Sequence, residues 1–359
     1  MRRLPLLLLL PLFLAKARSQ EMPVVGYMGV PKTETTLERY LEMRDCGFNT
    51  SLAVFDNVGQ VLEALRIADS VGMRLIPYCH DYFRQPATSV PKTDGYASLL
   101  AYLVMDEPCA KDLPKARERI SGINGAGATK PCYVNLRPYY SDKSLERIGS
   151  SSYTEYLQAC SAALQLPFIS FDHYPVLHGD SIRATWYDNM QMVRDEALRT
   201  GKPFWAFVLC TPHLVYSLPT LAQLRLQVNV NLAYGAQAIQ YYTYWHISNP
   251  KAGYHDSPID SLGNRTETYR LVRQVNEELR RVAPLFYQGT ITEVRHVSRR
   301  YASVSLRAPA GAVAARLVTA EGSRYIVLVN KSLTDTMTTR RKSESRKVEP
   351  GGMLLLPEP

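Results

Sequence analysis

The chain has 359 residues, of which 46% are hydrophobic, and it carries a formal net charge of +9. A chain of this length and composition can bury one large core together with a small additional domain. Arg2, Arg3, Lys16 and Arg18 supply four of the positive charges, so +9 less four leaves +5 for the rest of the chain. The remaining basic residues are scattered apart from a run at 340–342, and we expect no nucleic-acid partner without a basic stripe on a recognition fold.

The first 19 residues have the pattern of a secretory signal peptide. Two basic residues precede an apolar segment from Leu6 to Leu14, and the small residues Ala15, Ala17 and Ser19 offer cleavage sites. The apolar segment is too short to span a bilayer, and no cysteine follows it to carry a lipid. We therefore expect a secreted or periplasmic protein without a membrane anchor.

After the signal, strand-like and helix-like segments alternate, which is typical of an α/β fold. In chain order, the predicted strands are Val24–Val30, Phe48–Phe55, Arg74–His80, Leu99–Glu107, Lys130–Arg137, Phe168–Tyr174, Pro203–Cys210 and Ala238–Trp245. The predicted helices are Glu34–Cys46, Val58–Val71, Leu113–Ile123, Tyr153–Leu164, Thr185–Arg199, Leu221–Tyr234 and Thr268–Ala283. Residues 81–97 contain proline where a third helix is due, so we expect that helix to be shortened or lost.

Eight alternating strands predict a (β/α)8 barrel, or TIM barrel, over residues 20–285. An open doubly wound sheet is the alternative, but no glycine-rich phosphate loop follows the first strand. Beyond the barrel the pattern changes to short strands, which predict a small C-terminal β-domain over residues 286–359. These strands are Thr290–Val297, Val313–Val318, Arg324–Asn330 and Met353–Leu356.

Side chains that commonly contact sugars lie on or just after the predicted strands. Aromatic rings can stack on the C–H faces of a sugar, while imidazole, amide and guanidinium groups can bond to its hydroxyls. The predicted substrate-binding residues are Tyr27, His80, Asn135, Arg137, His173, Tyr174, Trp205, His213, Tyr242 and Trp245. Any one of the aromatic residues could instead fill the core, but the whole set favours a carbohydrate as the ligand.

Two neighbouring carboxylates end the fourth strand, where the apolar run 99–105 is followed by Asp106, Glu107 and Pro108. Catalytic groups of (β/α)8 barrels lie at the carboxyl ends of strands, and we predict Glu107 as the general acid. The alternative is a structural glutamate that caps the next helix. Asp106 can face the same way only if the strand pleat breaks, because neighbouring strand residues point to opposite faces.

Asp172, at the end of the sixth predicted strand, is the expected second catalytic carboxylate. The alternative role for Asp172 is to orient a nearby histidine or arginine. Carboxyls about 6.5–9.5 Å apart leave room for a water and invert the anomeric centre, whereas about 5–5.5 Å is the spacing of retaining enzymes. We expect the inverting arrangement for Glu107 and Asp172.

The sequence does not indicate metal or cofactor chemistry. His80, Asp81, Asp172 and His173 could meet at the barrel mouth as metal ligands, but no H-x-H or C-x-x-C spacing supports a site. A nucleophile elbow is also missing from the sequence, so we expect neither a metal nor a cofactor. The six cysteines are widely spaced and are expected to be buried free thiols, with one disulfide as the alternative.

Several segments resemble one group of enzymes. Residues Leu99–Pro108 resemble the fourth-strand motif of secreted bacterial TIM-barrel glycoside hydrolases of the clan A type. Phe171–Pro175, Pro203–Phe207 and Ala233–Trp245 are similar to segments of β-galactosidase-like proteins from gut Bacteroidetes. The resemblance covers roughly residues 22–285 and implies a glycoside hydrolase that cleaves an oligo- or polysaccharide.

The resemblance also implies a specific pair of catalytic residues. In clan A the acid/base glutamate follows an asparagine on the fourth strand, so Glu107 takes its place and Asp106 replaces the asparagine. The clan's nucleophile is a glutamate that ends the seventh strand, where this chain has no carboxylate between Val208 and His213. A carbohydrate-binding barrel that has lost its nucleophile is therefore the alternative function, and a structural platform is a further one. The sequence indicates no oligomeric state.

Overall fold

The computed structural model describes residues 21–297, 301–302, 307–308, 311–341 and 344–358. The predicted signal peptide over residues 1–19 lies outside these ranges. The described residues form a (β/α)8 barrel followed by a β-domain, which confirms the predicted fold class. The last helix of the barrel ends at Phe286, and the first strand of the β-domain begins at Thr290.

Eight parallel strands within the described residues form the wall of the barrel. They are β1 (Val24–Tyr27), β2 (Thr50–Phe55), β3 (Arg74–Cys79), β4 (Tyr102–Asp106), β5 (Cys132–Leu136), β6 (Ile169–Phe171), β7 (Phe204–Leu209) and β8 (Ala238–Tyr242). Their order in the sheet is β3-β2-β1-β8-β7-β6-β5-β4. The ends of this order meet at Leu75, whose N–H donates to the Ser98 carbonyl at 2.7 Å and whose carbonyl accepts the Leu100 N–H at 2.9 Å. The sheet therefore closes into a cylinder.

Helices surround this wall, and none of those in the described ranges is long and apolar enough to cross a membrane. They are α1 (Leu37–Asp45), α2 (Val58–Val71), α3 (Asp81–Arg84), α4 (Pro86–Thr93), α5 (Leu113–Gly125), α6 (Asp142–Ile148), α7 (Tyr153–Leu164), α8 (Thr185–Thr200), α9 (Leu221–Tyr234) and α10 (Glu267–Phe286). Glycines in the left-handed conformation end α2, α8 and α9, as the sequence predicts.

The helical segment between β3 and β4 is broken, as expected from its prolines. It forms the short helices α3 and α4, which are separated at Gln85. Pro86 begins α4, where a missing N–H is tolerated. Helix α6 was not predicted, although Ser141 before it and Gly149 after it are residue types that begin and end helices.

Alternation along the strands separates two layers of apolar core. The side chains that face the barrel axis include Val25, Leu52, Ile76, Leu103, Tyr133, Phe168, Trp205 and Phe207. Those that face the surrounding helices include Phe48, Phe55, Tyr102, Val104, Val134, Phe171 and Val208. Because inward positions recur at every second residue, the last inward residue of each strand points into the mouth of the barrel.

Three strands end three residues earlier than the sequence predicts, the first being β1, which ends at Tyr27 rather than Val30. Strand β6 ends at Phe171 and β8 ends at Tyr242, so residues 172–174 and 243–245 lie in loops. These loop residues are still buried, because the loops fold over the end of the barrel. Burial, rather than strand pairing, explains why their sequence is apolar enough to be mistaken for strand.

The β-domain contains two four-stranded sheets within the described residues. Its strands are β9 (Thr290–Val297), β10 (Tyr301–Ala302), β11 (Arg307–Ala308), β12 (Ala312–Val318), β13 (Arg324–Asn330), β14 (Met337–Arg341), β15 (Glu344–Val348) and β16 (Met353–Pro357). The sheet β16-β13-β12-β9 contains the four predicted strands. The sheet β10-β11-β14-β15 was not predicted, because β14 and β15 are rich in threonine and charged residues and lack an apolar alternation.

Gly351 fixes the β-domain against helix α9. Its φ is +66°, its carbonyl accepts the Asn229 Nδ2–H at 2.9 Å, and a Cβ at this position would overlap the Ala222 carbonyl oxygen. We expect Gly351→Ala to lower the free energy of unfolding by more than the about 1–2 kcal/mol of a left-handed alanine. Urea denaturation measures this loss. The control is Gly322→Ala, where φ is +85° and a Cβ would meet no atom within 4 Å; equal losses at the two sites would contradict a packing role.

Candidate active site

A cavity of about 150 Å³ opens at the carboxyl ends of the barrel strands. Its walls come from β1, β4, β5, β7 and β8 and from the loops after β6 and β7. The lining residues are Tyr27, Asp106, Glu107, Asn135, Asp172, Tyr174, Phe207, His213 and Tyr242. A larger cavity of about 830 Å³ lies at the opposite end of the barrel, against the β-domain, and its described lining contains no carboxylate. We therefore locate the chemistry in the smaller cavity.

Two irregularities in β4 aim adjacent carboxylates into this cavity. Leu103 pairs with Tyr133 and Met105 with Val134, so β4 contains one extra residue at this point. Because of this bulge, the side chains of both Val104 and Met105 lie in the outer layer, and Asp106 comes to the inner face. Glu107 then has φ +46°, which breaks the pleat and lets its side chain face the same cavity. A left-handed glutamate is strained, and such strain is concentrated at functional sites.

An amide bridges two of the three carboxylates. The Asn135 Nδ2 group donates to Asp106 Oδ1 at 3.2 Å and to Asp172 Oδ1 at 2.9 Å. The Tyr27 hydroxyl donates to the other Asp106 oxygen at 2.7 Å. Asp106 is accessible from the cavity but is fixed on both sides by these donors.

A buried polar network inside the barrel holds the Asn135 side chain in place. Its Oδ1 accepts the Ser170 hydroxyl at 3.0 Å, and Ser170 accepts the Gln240 Nε2–H at 2.9 Å. Tyr133 closes the network by donating to Gln240 Oε1 at 2.7 Å. Sequence reasoning missed these residues. Ser170 and Gln240 interrupt otherwise apolar strands, and that interruption was the available signal.

Glu107 lies at the rim of the cavity with about a third of its side chain exposed. Its Oε2 is 3.2 Å from Arg137 Nη1, and its carboxyl shares a hydrogen bond with the carboxyl of Asp172. Asp172 is buried on the loop after β6. The inverting arrangement of Glu107 and Asp172 stays a prediction.

Burial raises the pKa values of all three carboxyls, and repulsion by neighbouring carboxylates adds to this effect at Glu107 and Asp172. Burial raises the pKa of Asp172 well above its usual range, and the neighbouring charges of Glu107 and Asp106 add to this effect. Burial and the charge of Asp106 raise the pKa of Glu107, while the positive charge of Arg137 and the hydrogen bond with Asp172 lower it. Burial also raises the pKa of Asp106, against the hydrogen bonds from Tyr27 and Asn135. The cluster therefore retains protons above the usual carboxyl range.

Five predicted substrate-binding residues line the cavity, namely Tyr27, Asn135, Tyr174, His213 and Tyr242. His213 stacks on Tyr254 with ring centroids 4.6 Å apart, and burial lowers its pKa. The Tyr242 and Tyr254 hydroxyls are 2.7 Å apart. Sequence reasoning missed Phe207, which looked like ordinary core, and Tyr254, which lies far from any strand.

Trp205 and Trp245 do not line the cavity, so the structure does not bring these two predicted substrate-binding residues into it. Trp205 is the second residue of β7 and therefore lies near the opposite end of the barrel, where it stacks flat on Phe168 at 4.1 Å. Trp245 is buried in the outer layer, with the Arg39 guanidinium 5.2 Å from its ring centroid. Both aromatics fill core positions.

His80, His173 and Arg137 are near the mouth but outside the cavity lining. His80 is exposed at the start of α3. His173 is buried against Tyr140, with ring centroids 4.7 Å apart, and burial lowers its pKa to about 3, so it is neutral. Arg137 reaches the site only through its ion pair with Glu107.

The end of β7 provides no nucleophile. The Cys210 Sγ–H donates to the Thr243 carbonyl at 3.1 Å, and burial raises the pKa of this thiol to about 12. All six cysteines are free thiols, and five of them are buried, as expected. No carboxylate from β7 appears among the described residues that line the cavity.

Acidic residues at the carboxyl end of a (β/α)8 barrel, beside aromatic walls, form the kind of site that glycoside hydrolases use. A family model described as beta-galactosidase, glycoside hydrolase family 42, matches residues 132–282, which is fewer than half of the 359 residues. This match and the fold support a glycoside hydrolase. No curated protein matches the chain significantly.

Solved structures of three β-galactosidases share the fold. The enzyme from the psychrophilic Marinomonas ef1 matches with a TM-score of 0.52 and 10% identity over 74% of this chain and 60% of its own. The enzyme from Rahnella sp. R3 matches with a TM-score of 0.53 and 13% identity, and the match covers 75% of this chain and 57% of the enzyme. The enzyme from the Antarctic haloarchaeon Halorubrum lacusprofundi matches with a TM-score of 0.52 and 12% identity, and the match covers 73% of this chain and 58% of the enzyme. The chain thus spans a little over half the length of each enzyme.

The raised pKa of Asp172 predicts a pH-dependent effect on stability. The folded state holds this proton more tightly than the unfolded state, so stability is lost as pH rises from the ordinary aspartate value of about 3.9 through the raised pKa. We expect Asp172→Asn to raise the melting temperature at pH 8 relative to the unmodified protein and to change it little at pH 4. The gain is about 1.4 kcal/mol for each unit by which the pKa is raised.

Thermal denaturation at the two pH values measures the effect of Asp172→Asn. The same change at the exposed Asp195 of α8 is the matched control and should give equal shifts at both pH values. An Asp172→Asn gain that does not grow with pH would contradict the raised pKa.

Proposed function

We propose that the protein hydrolyses a glycosidic bond in an oligo- or polysaccharide, with Glu107 as the general acid. One observation carries this proposal: Glu107 is a partly exposed carboxyl in the lining of an aromatic cavity, and burial together with the charge of Asp106 raises its pKa. An acid must both hold its proton at working pH and reach the leaving oxygen. Of the Glu107 and Asp172 carboxyls, that of Glu107 is the more exposed, which places it where a leaving oxygen can be reached.

The three carboxylates take different roles in this proposal. Asp172 is a positioning residue whose carboxyl lies beside that of Glu107 in the cavity. Asp106 faces the cavity and offers negative charge to the positive charge that develops at the anomeric carbon. Glu107 accepts a proton from water in the second half of the reaction.

The substrate is proposed to bind against the aromatic walls of the cavity. Tyr27, Tyr174, Tyr242 and Phe207 offer faces and edges for the C–H groups of one sugar ring. The neutral imidazole of His213 offers hydrogen bonds at the rim. The alternative of sugar binding without cleavage is not favoured by the family match.

The test is hydrolysis of a panel of aryl glycosides and oligosaccharides by the purified protein. We expect release of the aryl group or of reducing sugar from at least one member of the panel. Sugar binding by calorimetry without any turnover across the panel would overturn the proposed activity in favour of the binding function.

Export remains part of the proposal. The signal-like pattern over residues 1–19 supports a secreted or periplasmic location. Mass spectrometry of the protein recovered from the exported fraction should find an N-terminus near Gln20. Retention of Met1 in a protein confined to the cytosol would contradict export.

The ion pair between Arg137 and Glu107 predicts the pH dependence of activity. The positive charge of Arg137 lowers the pKa of Glu107, against burial and the charge of Asp106. We expect Arg137→Met to raise that pKa and to move the alkaline limb of kcat/KM to higher pH, because the acid then keeps its proton longer. The pH–rate profile measures the shift, and Arg117→Met on the exposed face of α5 is the control. A limb that moves to lower pH would contradict the contact.

A further inference from the structure

The carboxylates of the site are gathered on one side of the cavity. Asp106 and Asp172 share the Asn135 amide, and Asp172 hydrogen-bonds to Glu107, so β4 and the loop after β6 hold all three. Hydrolysis by two protein carboxylates requires them on opposite sides of the anomeric carbon, about 5–9.5 Å apart. The described carboxylates of the cavity come from β4 and the loop after β6, so they do not face one another across it.

The opposite wall offers no protein nucleophile. Among the described residues, its lining from β7, β8 and β1 consists of Phe207, His213, Tyr242 and Tyr27. Burial holds the phenols of Tyr27 and Tyr242 in their protonated form by raising their pKa values. The group that attacks the anomeric carbon must therefore come from water or from the substrate itself.

Adjacent carboxylates on one strand match adjacent carbons of one sugar. The leaving oxygen is attached to C1, and the neighbouring substituent is attached to C2. An acid that protonates the C1 oxygen and a carboxylate that contacts the C2 substituent must therefore lie close together. Glu107 and Asp106 are neighbours in sequence, and the positive φ of Glu107 lets both face the cavity. Glu107 lies at the rim, where a leaving group departs, and Asp106 is fixed by Tyr27 and Asn135.

We infer that the substrate supplies its own nucleophile, and that it is a β-linked 2-acetamido-2-deoxyhexoside. This inference rests on the proposed function and names its substrate class. The acetamido carbonyl oxygen can attack C1 only from the face opposite the leaving group, which requires the trans arrangement of a β-glycoside. Asp106 accepts a hydrogen bond from the acetamido N–H that strengthens as this group gains positive charge in the transition state, and Glu107 is the acid.

In the first step, the acetamido oxygen forms a bond to C1 while the bond from C1 to the leaving oxygen breaks. Glu107 gives its proton to that oxygen, and the Asp106 carboxylate stays ionised and stabilises the positive charge of the oxazolinium N–H through a hydrogen bond. In the second step, Glu107 removes a proton from water, which attacks C1. The bond between C1 and the acetamido oxygen breaks, and its electron pair returns to the amide. The sugar then leaves with retained configuration. One water is consumed and Glu107 is again protonated.

The cavity has the contacts that an acetamido group needs. The Asp106 carboxylate is an acceptor for the N–H, and the aromatic faces of Phe207, Tyr174 and Tyr242 surround the space for the methyl group. The Tyr242 hydroxyl, 2.7 Å from that of Tyr254, is a donor for the carbonyl oxygen. Such contacts hold the oxygen over C1 and supply the orientation that an intramolecular attack requires.

The experiment compares aryl β-glycosides that differ only at C2. We expect hydrolysis of the 4-nitrophenyl 2-acetamido-2-deoxy-β-glucoside or β-galactoside, with at least about tenfold lower kcat/KM for the 2-hydroxy counterparts. Replacing acetyl by mono-, di- and trifluoroacetyl should lower kcat progressively, because fluorine weakens the attacking oxygen. A thiazoline analogue of the bicyclic intermediate should inhibit competitively, and NMR should show the β-anomer first.

The outcomes separate the two proposals. Turnover of the 2-hydroxy glycosides that equals or exceeds that of the acetamido glycosides leaves the glycosidase activity standing and overturns the substrate class. A kcat that is insensitive to fluorination, or an α-anomer formed first, overturns the participation of the substrate. No turnover of any glycoside in the panel counts against both the activity and this inference. Glu118→Gln on the exposed face of α5 controls for protein quality.

Discussion

Replacing Glu107 by glutamine is expected to lower kcat by roughly 10²–10⁴-fold while the protein stays folded. The amide keeps the shape of the side chain and can still bond to Asp172 and stay near Arg137, but it has no acidic proton to give. Because Glu107 is partly exposed and strained at φ +46°, its loss should not lower the melting temperature. Steady-state kinetics on the best aryl glycoside, with thermal denaturation beside them, measures both effects.

The loss should depend on the leaving group. An aryl oxygen that departs without protonation needs no acid, so Glu107→Gln should be least harmful for substrates with the most acidic phenols. The matched control is Glu118→Gln on exposed α5, which should retain full activity. A Glu107→Gln enzyme with full activity on a poor leaving group would remove Glu107 from the reaction.

Asp106→Asn is expected to lower kcat by about 10²–10³-fold, the typical loss when one group that stabilises transition-state charge is removed. The Tyr27 hydroxyl can still donate to the remaining oxygen, so the cavity keeps its shape. What is lost is the negative charge that faces the reacting sugar. KM should change much less than kcat, because the charge on the sugar develops only in the transition state.

Tyr27→Phe is the matched comparison for Asp106→Asn. It removes the 2.7 Å hydrogen bond but leaves the carboxylate in place, so we expect a smaller loss of kcat. Circular dichroism checks the fold of both variants. Equal losses in kcat and in binding for Asp106→Asn would show that Asp106 holds the substrate rather than the transition state.

Much of the fold followed from local patterns that the structure retains. Each barrel strand is an apolar run, and glycines after α2, α8 and α9 ended those helices as expected. The predicted strands ran too far at β6 and β8, since loops buried over the mouth are as apolar as strands. The second sheet of the β-domain was missed, because polar strands such as β15 leave no apolar alternation to read.

The site was harder to predict than the fold because it depends on irregularities. Asp106 and Glu107 could be singled out from the end of an apolar run, but their common direction requires a bulge in β4 and a left-handed glutamate. Trp205 was misplaced because composition does not tell which end of a strand a residue occupies, and its position near the start of β7 decides that. The contact between Glu107 and Asp172 joins residues far apart in the chain, so no spacing in the sequence could reveal it.

The barrel closes at Leu75, where the neighbouring segments are joined by few backbone hydrogen bonds. The two backbone hydrogen bonds from Leu75 to Ser98 and Leu100 join β3 to the segment ahead of β4, whereas β2 and β3 are paired along six residues. Few backbone hydrogen bonds would have to break for the barrel to widen at Leu75, and the same holds between β5 and β6, which pair along two residues. Strands β4 and β5, which carry Asp106 and Asn135, lie between these two weakly paired junctions.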